Sequence, residues 1–125
     1  MPNLTPLRIF LVEDHEDTLL YFGMYLRHIG HEVVEARTMA EALEKLPVSG
    51  CNVLFSDIGL PDGNGWELLE QVKLPQPIFA VAISGFGMSA DRIRSREVGY
   101  RHHLIKPPPP EKIDAILEEA MAELS

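Results

Sequence analysis

Val53-Leu54-Phe55-Ser56-Asp57 reads as a short buried strand that closes on a carboxylate. Gly59-Leu60-Pro61-Asp62-Gly63-Asn64-Gly65 follows at once, a cluster of turn formers that cannot continue a strand and must run over the surface. A lone aspartate is thereby set at a strand's C-terminal edge. In an open parallel α/β sheet that edge is where ligands bind. Taken by itself, Asp57 would equally serve to cap the turn, so the rest of the chain has to decide.

Working outward, the pattern alternates. Leu7 to Val12 is a compact apolar strand that Glu13-Asp14 ends with two adjacent acids. From Glu16 to Ile29 the period turns helical, with Leu19, Phe22, Leu26 and Ile29 facing a core and Gly30 placed to stop the helix. His31 to Ala36 is a second strand. Thr38 caps the next helix, Glu41 completes a capping box, and Ala42, Leu43 and Leu46 supply its apolar side. Beyond the glycine-rich loop a helix is expected from about Gly65 to Lys73, broken by Pro75 and Pro77. Ile78 to Ser84 is apolar on nearly every residue, as a strand covered on both faces should be. After the loop Gly85-Phe86-Gly87, Ser89 caps a fourth helix running to about Val98. Arg92, Arg94 and Arg96 interrupt its apolar stripe, so it should be the least firmly packed element. A short fifth strand, about Arg101 to Ile105, leads to Lys106 and a run of prolines. The last helix begins near Pro110, with Ile113, Ile116, Leu117, Ala120 and Leu124 toward the core.

Strands alternating with helices in this way mean βαβ units with right-handed crossovers. The expected fold is α/β: a doubly wound, five-stranded parallel sheet in the flavodoxin-like order 2-1-3-4-5, with five helices. Its switch point lies between the first and third strands. Glu13 and Asp14 then stand beside Asp57, and Ser84 and Lys106 end the fourth and fifth strands on the same edge.

Composition agrees. The 125 residues are 46% hydrophobic, which suits one domain spanning 1–125. A net charge of −8 argues against a nucleic-acid-binding surface. The single cysteine, Cys51, forms no internal disulfide and fits a reducing compartment. The longest apolar run falls far short of a membrane span, and a cytoplasmic location is expected.

Three carboxylates side by side repel one another, and a divalent cation resolves the conflict. Mg²⁺ suits the set, because it takes oxygen ligands, keeps several waters, and needs only one or two carboxylates plus a phosphate oxygen. Lys106 adds a mobile positive charge and Ser84 a hydroxyl, which together could neutralise and orient the oxygens of a phosphoryl group. A carboxylate that attacks phosphorus becomes an aspartyl phosphate, and the loop leaves Asp57 accessible for that role.

Val12-Glu13-Asp14, Ser56-Asp57 with Leu60-Pro61-Asp62-Gly63-Asn64-Gly65, Ala82-Ile83-Ser84-Gly85 and Leu104-Ile105-Lys106-Pro107 together resemble the receiver domain of bacterial two-component response regulators. The match runs from Leu7 into the last helix and is similar to single-domain, chemotaxis-regulator-like receivers and to receivers of hybrid kinases. The resemblance implies Asp57 as phosphoacceptor and Asp14 as a direct Mg²⁺ ligand, with Glu13 reaching the metal through water and the Gly59 carbonyl as a backbone ligand. Ser84 would be the switch hydroxyl, Lys106 its cationic partner, and Lys106–Pro107 a cis bond. The family's usual strand-five aromatic falls in register on His103, whereas Tyr100 lies three residues earlier. Gly59 also lacks a side chain, and Phe86 is bulky, at positions expected to bear on phosphate lifetime.

The resemblance further implies a histidine kinase or histidine phosphotransfer protein as donor and a downstream protein target. Nothing after Ser125 would supply an output domain, so a stand-alone receiver or one cut from a longer chain is expected. Thr18, Tyr21 and Tyr25 form a second stripe on the first helix, which would serve for docking or equally for packing at the margin of the core. The fourth helix and fifth strand would be the output face. An aspartyl-phosphate hydrolase would need a second acid where Gly59 stands. A flavodoxin-type carrier would need a hydroxyl-rich loop after strand one. A module that binds partners without phosphorylation is the remaining alternative, kept open by His103.

Overall fold

The computed structural model describes residues 6–85 and 89–124. Its strands are β1 (Arg8–Val12), β2 (Glu32–Ala36), β3 (Val53–Asp57), β4 (Phe79–Ser84) and β5 (His102–Ile105). Between and after them run α1 (Glu16–His28), α2 (Met39–Lys45), α3 (Gly65–Gln71), α4 (Ser89–Val98) and α5 (Pro110–Leu124). Every neighbouring pair in the main sheet is parallel, in the order β2-β1-β3-β4-β5. This is the doubly wound, flavodoxin-like order expected from the alternation of strands and helices.

Successive strand residues point to opposite faces, and the core divides accordingly. Ile9, Leu11, Phe55, Val81 and Ile83 meet Leu19, Phe22 and Leu26 of α1 and Ile113 and Leu117 of α5. The rings of Phe22 and Phe55 lie 5.1 Å apart at 55°, a tilted pairing that favours aromatic edges over faces. Phe10, Val12, Leu54, Ala80 and Ala82 meet Ala42, Leu46, Leu68 and Tyr100 on the other side. β3 and β4 are buried throughout, as their continuous apolar sequences demand.

Local chemistry sets the ends of the helices. Gly30, at φ +100°, and Gly99, at φ +118°, follow α1 and α4 in a conformation that side chains other than hydrogen rarely adopt. Thr38 Oγ1 accepts from Glu41 N–H at 3.1 Å, but the Glu41 carboxylate reaches Arg37 N–H, at 2.7 Å, so the capping box closes one residue earlier than expected. Asp62, on the loop after β3, accepts from Met39 N–H at 2.7 Å and Ala40 N–H at 2.9 Å, giving α2 a second cap from far along the chain. Helix α3 ends at Gln71 rather than Lys73. Val72 is extended there (φ −69°, ψ 135°), before Leu74-Pro75, a pair that disfavours helix.

Between β3 and α3 the loop makes a two-residue ladder, Gly59–Leu60 against Gly63–Asn64, which the turn-rich sequence did not announce. Asn64 then caps α3, its Oδ1 accepting from Glu67 N–H at 2.8 Å. Helix α4 starts on Ser89 itself, leaves Ile93 60% exposed and buries Ser95, which matches its poor apolar stripe.

Candidate functional site

Register builds the site. Val12 pairs with Ser56, so the residues that end β1 and β3 emerge side by side; Asp57 pairs with Ile83, which puts Ser84 at the next position along β4. Glu13 N–H donates to Ala36 O at 3.0 Å, and Lys106 N–H to Ser84 O at 2.8 Å, so backbone bonds hold both at the strand ends. The Lys106–Pro107 bond is cis.

Glu13 and Asp57 are buried, and one ammonium serves both: Lys106 Nζ lies 2.7 Å from Glu13 Oε1 and 2.8 Å from Asp57 Oδ2. Asp57 Oδ1 accepts from Gly59 N–H at 3.2 Å. Burial pushes the Asp57 carboxyl up to about 6, with the negative charge of Glu13 adding to the effect and Lys106 opposing it. Burial acts on Glu13 in the same direction, but its hydrogen bonds to Lys106 and to His15 N–H prevail and hold it below the ordinary value. Burial also opposes the charge on Lys106, yet its two carboxylate partners leave its pKa raised. Asp57 is thus the strained acid of the pair, ionised at neutral pH but at a cost in desolvation.

Glu13, Asp14, His15 and Asp57 each bring a ligand atom into a group no wider than 4.8 Å. Asp14 Oδ1 is buried with no hydrogen-bond partner among the described residues. His15 Nδ1, at 3.4 Å, is too far to satisfy it well. An orphaned, buried carboxylate oxygen beside two further acids is a set that a hard divalent cation completes. Sequence reasoning passed over His15, whose N–H donates to Glu13 Oε2 at 3.1 Å; its place directly after the acid pair was the available signal. Gly59 is exposed, and nothing lies within 4 Å of where its Cβ would stand. His15, Thr18, Asp57, Gly59, Ser84 and Lys106 line one open cavity of about 510 Å³. Phe86 lies outside the described residues.

His103 occupies a network that the sequence did not disclose. Its Nε2 is 2.7 Å from Ser84 Oγ and its Nδ1 2.8 Å from Ser95 Oγ, while Trp66 Nε1–H donates to Ser95 Oγ at 2.8 Å. Arg94 lies over the Trp66 ring at 4.3 Å, a cation–π contact. The neighbouring His102 faces the other way and meets Glu119 Oε1 at 3.0 Å. Tyr100 is buried and its hydroxyl donates to Gly65 O at 2.6 Å, tying the start of α3 to the strand-five side of the sheet.

On α1, Thr18 is half-buried at the rim of the Asp57 cavity and Tyr21 is 51% exposed. Tyr25 is half-buried against the core, and its hydroxyl donates to Asp114 Oδ1 of α5 at 2.5 Å. Leu20 and Met24, absent from the sequence stripe, are exposed beside Tyr21. No helix among the described residues is long and apolar enough to cross a membrane.

Known proteins share this fold. The CheY-like response regulator receiver domain protein of Methanospirillum hungatei superposes with a TM-score of 0.87 at 29% identity, covering 95% of this chain and 96% of its own. The polar-differentiation response regulator DivK of Brucella ovis is 28% identical over 79% of this chain and 83% of its own length. The sensory transduction protein LytT of Enterococcus faecalis is 31% identical over 74% of this chain, a stretch that spans only 38% of LytT. The sequence profile described as the response regulator receiver domain matches residues 9–118. With that match running from within β1 to within α5, the chain belongs to the receiver-domain family of two-component response regulators.

Proposed function

We propose that Asp57 accepts a phosphoryl group from the phosphohistidine of a histidine kinase or phosphotransfer protein, and that the phosphorylated form binds its partners differently. The observation that carries this reading is the Asp57–Lys106–Glu13 cluster, in which a desolvated acceptor carboxylate at a sheet's switch point faces a fixed ammonium. An Asp57 carboxylate oxygen forms the new P–O bond as the P–N bond to the donor imidazole breaks, and that imidazole takes up a proton from water. Lys106 then has a phosphoryl oxygen to pair with in place of the carboxylate, and the Ser84 hydroxyl lies on the same cavity wall to donate to another.

Asp14, Asp57 and the Gly59 carbonyl would hold Mg²⁺, with Glu13 acting through water. When bound, the cation neutralises the crowded acids and the charge on the transferring group. The donor protein would dock on the exposed side of α1, where Tyr21 stands between Leu20 and Met24 and Thr18 leads toward Asp57. Tyr25 would contribute from the α5 side of that surface.

The reading is tested by incubating the protein with acetyl phosphate, with and without Mg²⁺, and weighing it intact. A metal-dependent gain of one phosphoryl group that Asp57→Ala abolishes is expected. No gain in a folded, Mg²⁺-binding protein, from acetyl phosphate or from a phosphorylated histidine protein, would leave the interaction-only module as the better account.

A further inference from the structure

The hydrogen bonds around His103 take a direction from the one group among them that can only donate. An indole N–H can only donate, so Ser95 Oγ must be an acceptor toward Trp66. Among the described residues Ser95 Oγ has one other partner, His103 Nδ1 at 2.8 Å, and in this buried position donation to that nitrogen is what keeps the hydroxyl proton bonded. Nδ1 accepts, and the neutral ring consequently carries its proton on Nε2 and donates it to Ser84 Oγ at 2.7 Å. Ser84 then receives on its His103 side, and its own O–H is directed away from the ring. Ser84 also lines the cavity that holds Asp57 and Lys106.

Burial makes this polarity matter. Ser95 is 1% exposed and Ser84 9%, so a hydroxyl reversed in direction would set two donors or two acceptors against each other with little water to relieve them. The chain also links elements that are far apart in sequence: Ser84 ends β4, His103 sits in β5, Ser95 in α4, and Trp66 in the first turn of α3. Trp66 is half-buried beneath Arg94, at the surface end of the chain.

We propose that His103 is a positioning residue that holds the Ser84 hydroxyl as a donor toward the phosphoryl group on Asp57, and that through Ser95 it transmits occupancy of Asp57 to Trp66. The inference rests on the phosphoacceptor reading of Asp57. A tyrosine or phenylalanine ring has no nitrogens and could not bond a separate hydroxyl from each of two ring positions, as His103 does. The surface that reads the state is correspondingly the α3–α4 seam around Trp66 and Arg94.

Two measurements test it. ¹⁵N spectra of the labelled histidines at neutral pH should show His103 protonated on Nε2 and bare on Nδ1, a preference that Ser95→Ala weakens. The reverse tautomer in the wild type overturns the polarity argument. Trp66 is the sole tryptophan, so its emission reports this site alone. In the wild type that emission should shift with acetyl phosphate and Mg²⁺. In His103→Phe and Ser95→Ala, compared at the same phosphorylated fraction by intact mass, the shift should be lost. His103→Phe should also accept phosphate about tenfold more slowly, a smaller effect than the roughly hundredfold loss expected when a donor itself is removed. A phosphorylated wild type with unchanged Trp66 emission, or a full shift in both variants, overturns the relay while leaving Asp57 as acceptor. Absence of any mass gain instead removes the phosphoacceptor reading and the coupling together, with the tautomer still deciding the direction of the hydrogen bonds.

Discussion

Lys106 Nζ donates to Asp57 Oδ2 at 2.8 Å while pairing with Glu13, so a single cation offsets two buried anions. Lys106→Met would leave those carboxylates facing each other. Breaking a buried pair from one side costs about 3 kcal/mol, and that loss should appear in urea denaturation at pH 7.5 without Mg²⁺. Phosphorylation by acetyl phosphate should slow about a hundredfold, as expected when one charge-stabilising donor is removed.

Asp57 works in the opposite sense. Its carboxyl is raised from 3.8 to about 6, so the folded state binds the proton more tightly than the unfolded chain does. Its contribution to stability is therefore lost as pH rises between those values, by about 3 kcal/mol in all. Asp57→Asn should melt higher than the wild type at pH 7.5 in the absence of metal, and the gap should close toward pH 4. Added Mg²⁺ should raise the melting temperature of the wild type far more than that of the variant.

His31 supplies a separate acid response. Leu7 N–H donates to its Nδ1 at 3.0 Å, and burial lowers the pKa of the ring. A histidine depressed in the folded state stabilises above its unfolded value of about 6.5 and loses that contribution as pH falls below it toward the lower folded value. His31→Asn keeps an acceptor but does not titrate. Chemical denaturation at pH 7.5 and 5.5 should show a smaller relative loss on acidification in the variant than in the wild type.

Gly65 and Gly63 separate two kinds of tight packing. A Cβ on Gly65 would stand 2.7 Å from Asp57 O and 2.9 Å from Ile58 Cδ1, against the backbone of the acceptor itself. At Gly63 the neighbours at 2.7 Å are the flexible end of Met39. Gly65→Ala should cost about 2 kcal/mol, in the range of an overpacked core, and should slow phosphate acceptance. Gly63→Ala should do neither to a comparable extent, as denaturation and mass kinetics on the two variants would show.

These contrasts mark what sequence could and could not disclose. The parallel α/β sheet followed from the alternation of apolar runs with helical periods, the order 2-1-3-4-5 was the expected wrap for such a chain, and the edge bearing Glu13, Asp14, Asp57, Ser84 and Lys106 followed from that order, because both depend on backbone topology. Side-chain direction did not follow. Tyr25 fits either role in a helical pattern, and only the approach of Asp114 ties it to α5. Ser95 looks like a solvated residue among arginines, yet it is buried because His103 and Trp66 converge on it from other elements. Asp62 reads as a turn residue, and nothing local shows that it caps α2. Contacts between residues far apart in the chain leave no periodic trace.

The central claim is that Asp57, and neither of its acidic neighbours, carries the phosphoryl group. Borohydride reduces an aspartyl phosphate to homoserine, so the protein should be treated with acetyl phosphate and Mg²⁺, reduced, and mapped by peptide mass. Homoserine at position 57, absent without Mg²⁺, with no homoserine at Asp14 and no 2-amino-5-hydroxypentanoic acid at Glu13, is the predicted result. A phosphoryl gain that maps to any other residue, with position 57 unmodified, would contradict the account.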